Sequence, residues 1–361
     1  MKNKRNGKVE FWRFVFSIII VLHHSRALVG DKNCLFLGGS LAVEFFFLVS
    51  GYLMMASADR MAQKAPAAGN LGKETFSFIM KKAKSVYPAM LIAWFMALGV
   101  VTFAKDKQFW DLFVDSFFEV TLLKMSGLPS ISVNGVVWYI SSMLLCMAIL
   151  YPLIRKFPEF MKNIGLLLIV VLALGYLGGE FNGPRNPLQW IEFTRKGNVR
   201  GLAEIAIGAL LFIGVQRFQN ARLTCAGKWA VTAAEWLLHI AAILYMYYEK
   251  AGSRDFFVLL LMAVAVGLSF SHKGIDADLF DNGLFMWLGK YSFYLFLGHT
   301  FIAQNLNYIL PKGFSNGKKT VVYLACAVVT SFLIWGLTVL VNKCTPKVSA
   351  LAKRVFVRGE E

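Results

Sequence analysis

The chain has 361 residues, of which 57% are hydrophobic and only 16% charged, with 32 Phe and a mean hydropathy of +0.57. One soluble core cannot hide that much apolar surface, and the dyad alternation of an outer-membrane barrel is absent. The composition therefore defines an all-α, polytopic transmembrane helical bundle. A formal charge of +17 would suggest nucleic acid in a soluble protein, but here Lys and Arg fall mainly in loops, where they orient a membrane protein, and no nucleic-acid partner is expected.

Windows of about twenty apolar residues predict about ten spans, at 11–29, 39–58, 86–104, 136–154, 163–179, 200–217, 228–248, 255–271, 284–309 and 319–342. The first carries Arg13 and the His23-His24 pair and lacks a small-x-small cleavage pattern, so it reads as a retained span. Residues 1–10 read as a cytoplasmic tail, 11–342 as one membrane domain and 343–361 as a basic cytoplasmic tail. Both the N- and C-termini are placed inside because Arg60, Lys64, Lys73, Lys81, Lys82 and Lys84 crowd one loop. The second half of that loop, KETFSFIMKKAKSVYP, reads as a basic interfacial helix leading to Pro88.

On the other side, residues 105–124 predict an amphipathic helix lying in the interface plane. Phe109, Phe113, Phe117 and Val120 form its apolar stripe, with Asp111, Asp115 and Glu119 opposite. The segment 180–199 has two prolines and no helical period, and reads as an outer loop, where binding groups concentrate. The span 284–309 is unusually long and contains Gly289 and Lys290. The five cysteines are scattered without metal spacing, and no metal site is expected.

Ionisable groups inside a span are costly and are functional candidates for that reason. Arg13 and His24 lie three helical turns apart, within roughly 20° of one face and about 16 Å along the axis. That face would carry a cation near the cytoplasmic surface and an imidazole near mid-depth. A neutral imidazole can act as a general base toward a hydroxyl, or be acylated itself. The competing readings are a buried histidine bonded to a neighbouring helix, and an arginine snorkelling to lipid phosphate. His23 points about 100° away and reads as structural. The second span, GGSLAVEFFFLVSGYLMM (38–55), adds Glu44, placed either to orient His24 or to pair with a basic group, and Ser50-Gly51, a pair that permits close helix packing.

Arg13, ten residues and His24, followed by that second span, resembles the opening of the acyltransferase 3 family of membrane-bound O-acyltransferases. FIMKKAKSVYP (78–88), NGVVWYISSMLLCMAILYP (134–152) and LGKYSFYLFLGHTFI (288–302) are similar to later segments of the family. Lys84 stands where Arg is common and Phe293 where Tyr is common. Lysine lacks the planar fork, so a bidentate phosphate contact does not carry over to position 84.

The resemblance implies transfer of an acyl group, usually acetyl from the cosubstrate acetyl-CoA, to a hydroxyl of an envelope carbohydrate or lipid-linked glycan in a bacterial inner membrane. It implies His24 as the catalytic centre, with Arg13 holding the CoA side; Glu44 joins the catalytic candidates on its own reading, either orienting His24 or pairing with a basic group near the outer interface. Lys81, Lys82 and Lys84 are further candidates for the CoA phosphates, against ordinary loop charge as the alternative. Ser50, Asn134, Trp138 and Tyr139 are candidates for acceptor contact; for Trp138 and Tyr139 the alternative is an interfacial aromatic and for Asn134 a helix cap. Glu204 is spaced to pair with Arg200 along one helix. His299 reads as a packing residue, and His239 and His272 carry no motif. The rival function is a transporter or flippase moving a glycan without acyl chemistry, and a non-catalytic scaffold is a third; neither gives the Arg13–His24 spacing a role.

Overall fold

The computed structural model describes residues 5–64, 70–249 and 252–358, with side chains through Cys344. Every predicted span is helical: α1 (Gly7–His24), α2 (Ala42–Lys64), α3 (Leu71–Lys105), α4 (Val137–Lys156), α5 (Leu166–Phe181), α6 (Lys196–Gln219), α7 (Cys225–Tyr248), α8 (Asp255–Ser271), the pair α9 (Gly283–Gly298) and α10 (Thr300–Ile309), and α11 (Asn316–Arg358). Among the described residues, eight helical stretches are long and apolar enough to cross a membrane. The chain is a multi-pass membrane protein of all-α architecture. One small hairpin pairs Trp190–Ile191 with Thr194–Arg195.

Lipid tails are as apolar as the helices, so helices associate in a membrane through close packing and polar contacts. A Cβ added at Gly51 would lie 2.1 Å from the Ile205 carbonyl oxygen, and one at Gly208 would lie 2.2 Å from that of Leu48. Helices α2 and α6 therefore meet backbone to backbone, and Ser50-Gly51 is the packing element it was read to be. Aromatic rings fill the space beside this seam: Phe16 packs on Phe45 at 4.8 Å, and Tyr52 stacks on Phe270 at 3.6 Å.

Helix α1 starts at Gly7, so the expected tail 1–10 is too long. Asn6 caps the helix by accepting from the Val9 amide. Lys8 is buried between Glu235 at 2.6 Å and Asp276 at 2.8 Å. A hydropathy window excludes such a lysine because it cannot see the carboxylates waiting on other helices.

Helix α3 runs unbroken through Pro88; the basic stretch is its first half and not a separate interfacial helix. Glu74 ties that half to α4 by accepting from Tyr151 Oη and Arg155 Nε, both at 2.7 Å. The part of the basic loop at 65–69 lies outside the described residues.

The expected amphipathic helix at 105–124 is instead two short helices, Phe109–Asp115 and Phe117–Val120. Glu119, assigned by periodicity to the watery face, is fully buried. It accepts from the amides of Val133 at 2.8 Å and Asn134 at 3.1 Å and pairs with Lys124 at 3.3 Å. The turn's amides need an acceptor, and that need outweighs the helical period. Burial pushes the Glu119 carboxyl up and the Lys124 ammonium down from their ordinary values.

The long span 284–309 breaks at His299. Asn134 bridges the break, donating through Nδ2 to the Leu297 carbonyl at 3.1 Å and accepting from Thr300 Oγ1 at 2.9 Å. Irregular backbone at membrane depth is tolerated where partners satisfy it and where it borders a cavity. Both conditions are met here.

Candidate active site

His24 is the last residue of α1, five residues before the end of the span Gly7–Val29. It therefore sits toward the end of the bundle opposite the N-terminus, and not at the mid-depth expected from its sequence window. Its Nδ1 lies 2.8 Å from the Ile20 carbonyl oxygen and 3.3 Å from Nε2 of His299. The two rings meet edge to face with centroids 4.9 Å apart. His24 Nε2 makes no hydrogen bond to the described residues, and His24 forms part of a cavity wall. His23, by contrast, is spent on structure: its Nδ1 is 2.6 Å from the Phe36 carbonyl oxygen. A Cβ at Gly39 would lie 2.6 Å from His23 Cβ, so that glycine is what lets the chain before α2 close over this histidine.

The cavity has a volume of 340 Å³ and opens at the end opposite the N-terminus. Its wall includes Trp138, Thr300, Gln304 and the loop residues Asn186 and Gln189. The outer-loop segment 180–199 thus supplies cavity residues, as its lack of helical period predicts, and Arg185 holds it in place. That guanidinium grips Asp255 through two bonds of 2.7 Å each, and Tyr245 donates to the same carboxylate at 3.1 Å. Of the four acceptor candidates, Trp138 alone is on the cavity wall. Asn134 acts behind it by fixing Thr300. Ser50 and Tyr139 bond to one another at 3.1 Å in the interior.

Arg13 lies three turns back along α1, a quarter exposed, with Glu10 at 3.7 Å. Its Nε is buried without a hydrogen-bond partner among the described residues. Arg13, Arg60 and Lys81 all act electrostatically on Lys82, which also sits 5.9 Å over the Phe78 ring. Lys82 thus joins the positive cluster near Arg13. Lys84 is exposed and has no ion pair or ring contact among the described residues. Beside the cavity, Tyr139 meets Phe296 at 5.7 Å, and Phe296 meets His299 at 6.0 Å, so a file of buried rings runs up to the histidine that touches His24.

Glu44 takes the second of its two readings, pairing with a basic group instead of orienting His24. It accepts from Arg200 Nη2 at 3.0 Å, while Arg200 Nε donates to Glu204 at 2.8 Å. All three are fully or almost fully buried, and the guanidinium lies 5.9 Å over Trp138. The expected Arg200–Glu204 pair is present; its third member was out of reach of any helical spacing rule. His299, read as packing, is the residue that meets His24. The signal for it was the length of the span that contains it: too long for one helix, with a histidine after a glycine near its middle. Among the described residues, the group spaced for a metal ion is His272, Asp278 and Asp281, whose ligand atoms lie within 4.8 Å of one another. Asp281 also accepts from the Gly7 amide at 2.9 Å, which anchors the start of α1.

The helical membrane bundle thus carries a histidine on a cavity wall, a cation three turns behind it on the same helix and a loop on the other side of the cavity. The chain belongs to the acyltransferase 3 family: the family model described as an acyltransferase domain matches residues 6–340. It is a membrane acyltransferase, working in a bilayer on an acyl donor and an acceptor. No curated protein matches the chain.

Proposed function

We propose that this acyltransferase moves an acetyl group from acetyl-CoA to a hydroxyl of an envelope carbohydrate or lipid-linked glycan in a bacterial inner membrane, with His24 as general base. The observation that carries this reading is the placement of His24 on a cavity wall, its Nε2 without a hydrogen bond to the described residues, with Arg13 on the same helix behind it. With the N-terminus cytoplasmic, Arg13 stands on the side where acetyl-CoA is available. Charge-assisted hydrogen bonds from Arg13, with Lys82 and Lys81 adding positive potential, would hold the phosphates. The pantetheine arm would follow the rings of Tyr139 and Phe296 to bring the thioester to His24.

On the acceptor side, the amides of Asn186, Gln189 and Gln304 and the face of Trp138 suit a sugar. Amides pair with hydroxyls, and an aromatic face covers the apolar side of the ring. His24 Nε2 takes the proton of the acceptor hydroxyl as its oxygen bonds to the thioester carbonyl carbon. The carbon–sulfur bond breaks, and the proton passes from the imidazolium to the CoA thiolate. The products are the acetyl ester and free CoA.

Membranes carrying the wild-type protein or His24→Ala at matched levels, supplied with radiolabelled acetyl-CoA, test this. Label is expected in the glycan fraction with wild type and at background with His24→Ala. Full labelling by His24→Ala overturns the role of His24, and glycan movement without consumption of the acyl donor overturns the transfer chemistry.

A further inference from the structure

We infer that His299 is a positioning residue for His24: its Nε2 lone pair accepts from His24 Nδ1–H, directs the free lone pair of His24 toward the cavity, and supports the positive charge when Nε2 takes a proton. The inference rests on the acyl transfer proposed at His24, and it follows from which atoms can donate.

A backbone carbonyl oxygen only accepts. His24 Nδ1 faces the Ile20 carbonyl at 2.8 Å, so that nitrogen carries the hydrogen. His299 Nδ1 faces the Leu295 carbonyl at 3.2 Å, so it carries the hydrogen there as well. In a neutral imidazole the other nitrogen is then the acceptor. His299 Nε2 is that acceptor, and it lies 3.3 Å from His24 Nδ1. The single hydrogen on His24 is shared between a carbonyl and an imidazole, and Nε2 is left with its lone pair on the cavity side.

In the serine-protease arrangement a carboxylate stands behind the histidine, fixing its tautomer and steadying the imidazolium. Here the acid closest to hand in the sequence, Glu44, is committed to Arg200. A neutral imidazole takes the position instead, which adds no second charge at membrane depth. His299 is fully buried and stands behind His24, away from the acceptor. It gains and loses no proton in the reaction; the hydroxyl proton moves to His24 Nε2 and then to the thiolate. The break between α9 and α10 sets its position, because Asn134 grips the chain on both sides of it, at Leu297 and Thr300. The other titratable or charged groups near His24 are His23, with ring centroids 5.3 Å apart, and Arg26, which acts on it electrostatically. Both stay unchanged in the variants below.

Three substitutions separate positioning from packing. The Oε1 of His299→Gln reaches about as far as the lost Nε2 and can accept from His24. His299→Asn reaches only as far as Nδ1, and His299→Ala removes both. Purified proteins are compared for kcat and KM with acetyl-CoA. In parallel, ¹⁵N-histidine NMR in bilayers follows the protonation of His24, assigned by the signal that His24→Ala removes.

His299→Ala and His299→Asn are expected to lower kcat by about 10–100-fold with KM for acetyl-CoA little changed, and to make His24 titrate at lower pH. His299→Gln is expected to recover most of both. Unchanged kcat and unchanged His24 titration in His299→Ala overturn the inference. So does a kcat loss in His299→Gln as large as in His299→Ala with the titration of His24 unmoved, which assigns His299 to packing. Absence of turnover in the wild type counts against acetyl transfer, and the NMR titration then decides the His299–His24 contact by itself.

Discussion

Arg13 and Arg200 are the same side chain within one bundle, used in opposite ways. Arg200 is 1% exposed, bonded to Glu44 and Glu204 and covered by Trp138. Arg13 is 25% exposed, has Glu10 at 3.7 Å and, among the described residues, keeps an Nε with no hydrogen-bond partner. A guanidinium offers five donors in a fixed fork. Where carboxylates take them at close range the residue ties helices together; where donors remain unspent on a partly exposed side chain, an anion can be held. The cost of placing a charge in the bundle is therefore no guide to function by itself. The unspent bonding capacity is.

The largest effect expected from this contrast is on folding. Arg200→Leu strands two buried carboxylates and should cost about 3–5 kcal/mol, read as a lower thermal unfolding midpoint in detergent and a poor yield. A wild-type midpoint for this variant would break the comparison. Arg13→Ala should leave the midpoint almost unmoved while raising KM for acetyl-CoA by roughly 10–100-fold, the equivalent of one charge-assisted hydrogen bond. Arg13→Lys should recover part of that affinity because it keeps the charge and loses the fork. A kcat loss with unchanged KM would move Arg13 from donor binding to the chemical step.

The outer loop offers a third arginine, spent like Arg200 but on holding a wall. Asp255→Asn weakens the fork to Arg185 by roughly 1.5–3 kcal/mol. Faster hydrogen exchange across 182–189 and a higher KM for the acceptor should follow, with KM for acetyl-CoA unaltered. The smallest effect is predicted for Glu44→Gln. One guanidinium serves two carboxylates, and Oε2 of both Glu44 and Glu204 lacks a partner among the described residues. Removing one negative charge should change stability by less than about 1 kcal/mol and leave turnover near wild type. A severe loss of turnover at an unchanged midpoint would return Glu44 to the chemistry.

The spans were legible because apolar length is a local property, and each predicted stretch became helix. The errors cluster where a polar residue found a distant partner. Lys8 joined α1 because Glu235 and Asp276 receive it. Glu119 left the watery face because the amides of Val133 and Asn134 required an acceptor. Of the candidate site, Arg13, His24 and Trp138 were identified from one segment each, and the loop at 180–199 from its prolines. Gln304 and Arg185 carried no signal, since an amide on a helix or a guanidinium in a loop looks like any other until the cavity or the carboxylate beside it is known.

What the sequence by itself determined is the membrane class, the helical spans and the offset of Arg13 from His24 along one face, all consequences of composition and of 3.6 residues per turn. The tertiary structure decided the partners. It set His299 against His24 across 275 positions and Glu44 against Arg200 across 156. The physical reason is that a buried hydrogen bond depends on which groups the fold leaves unsatisfied at one point in space, and no local pattern in the chain records that.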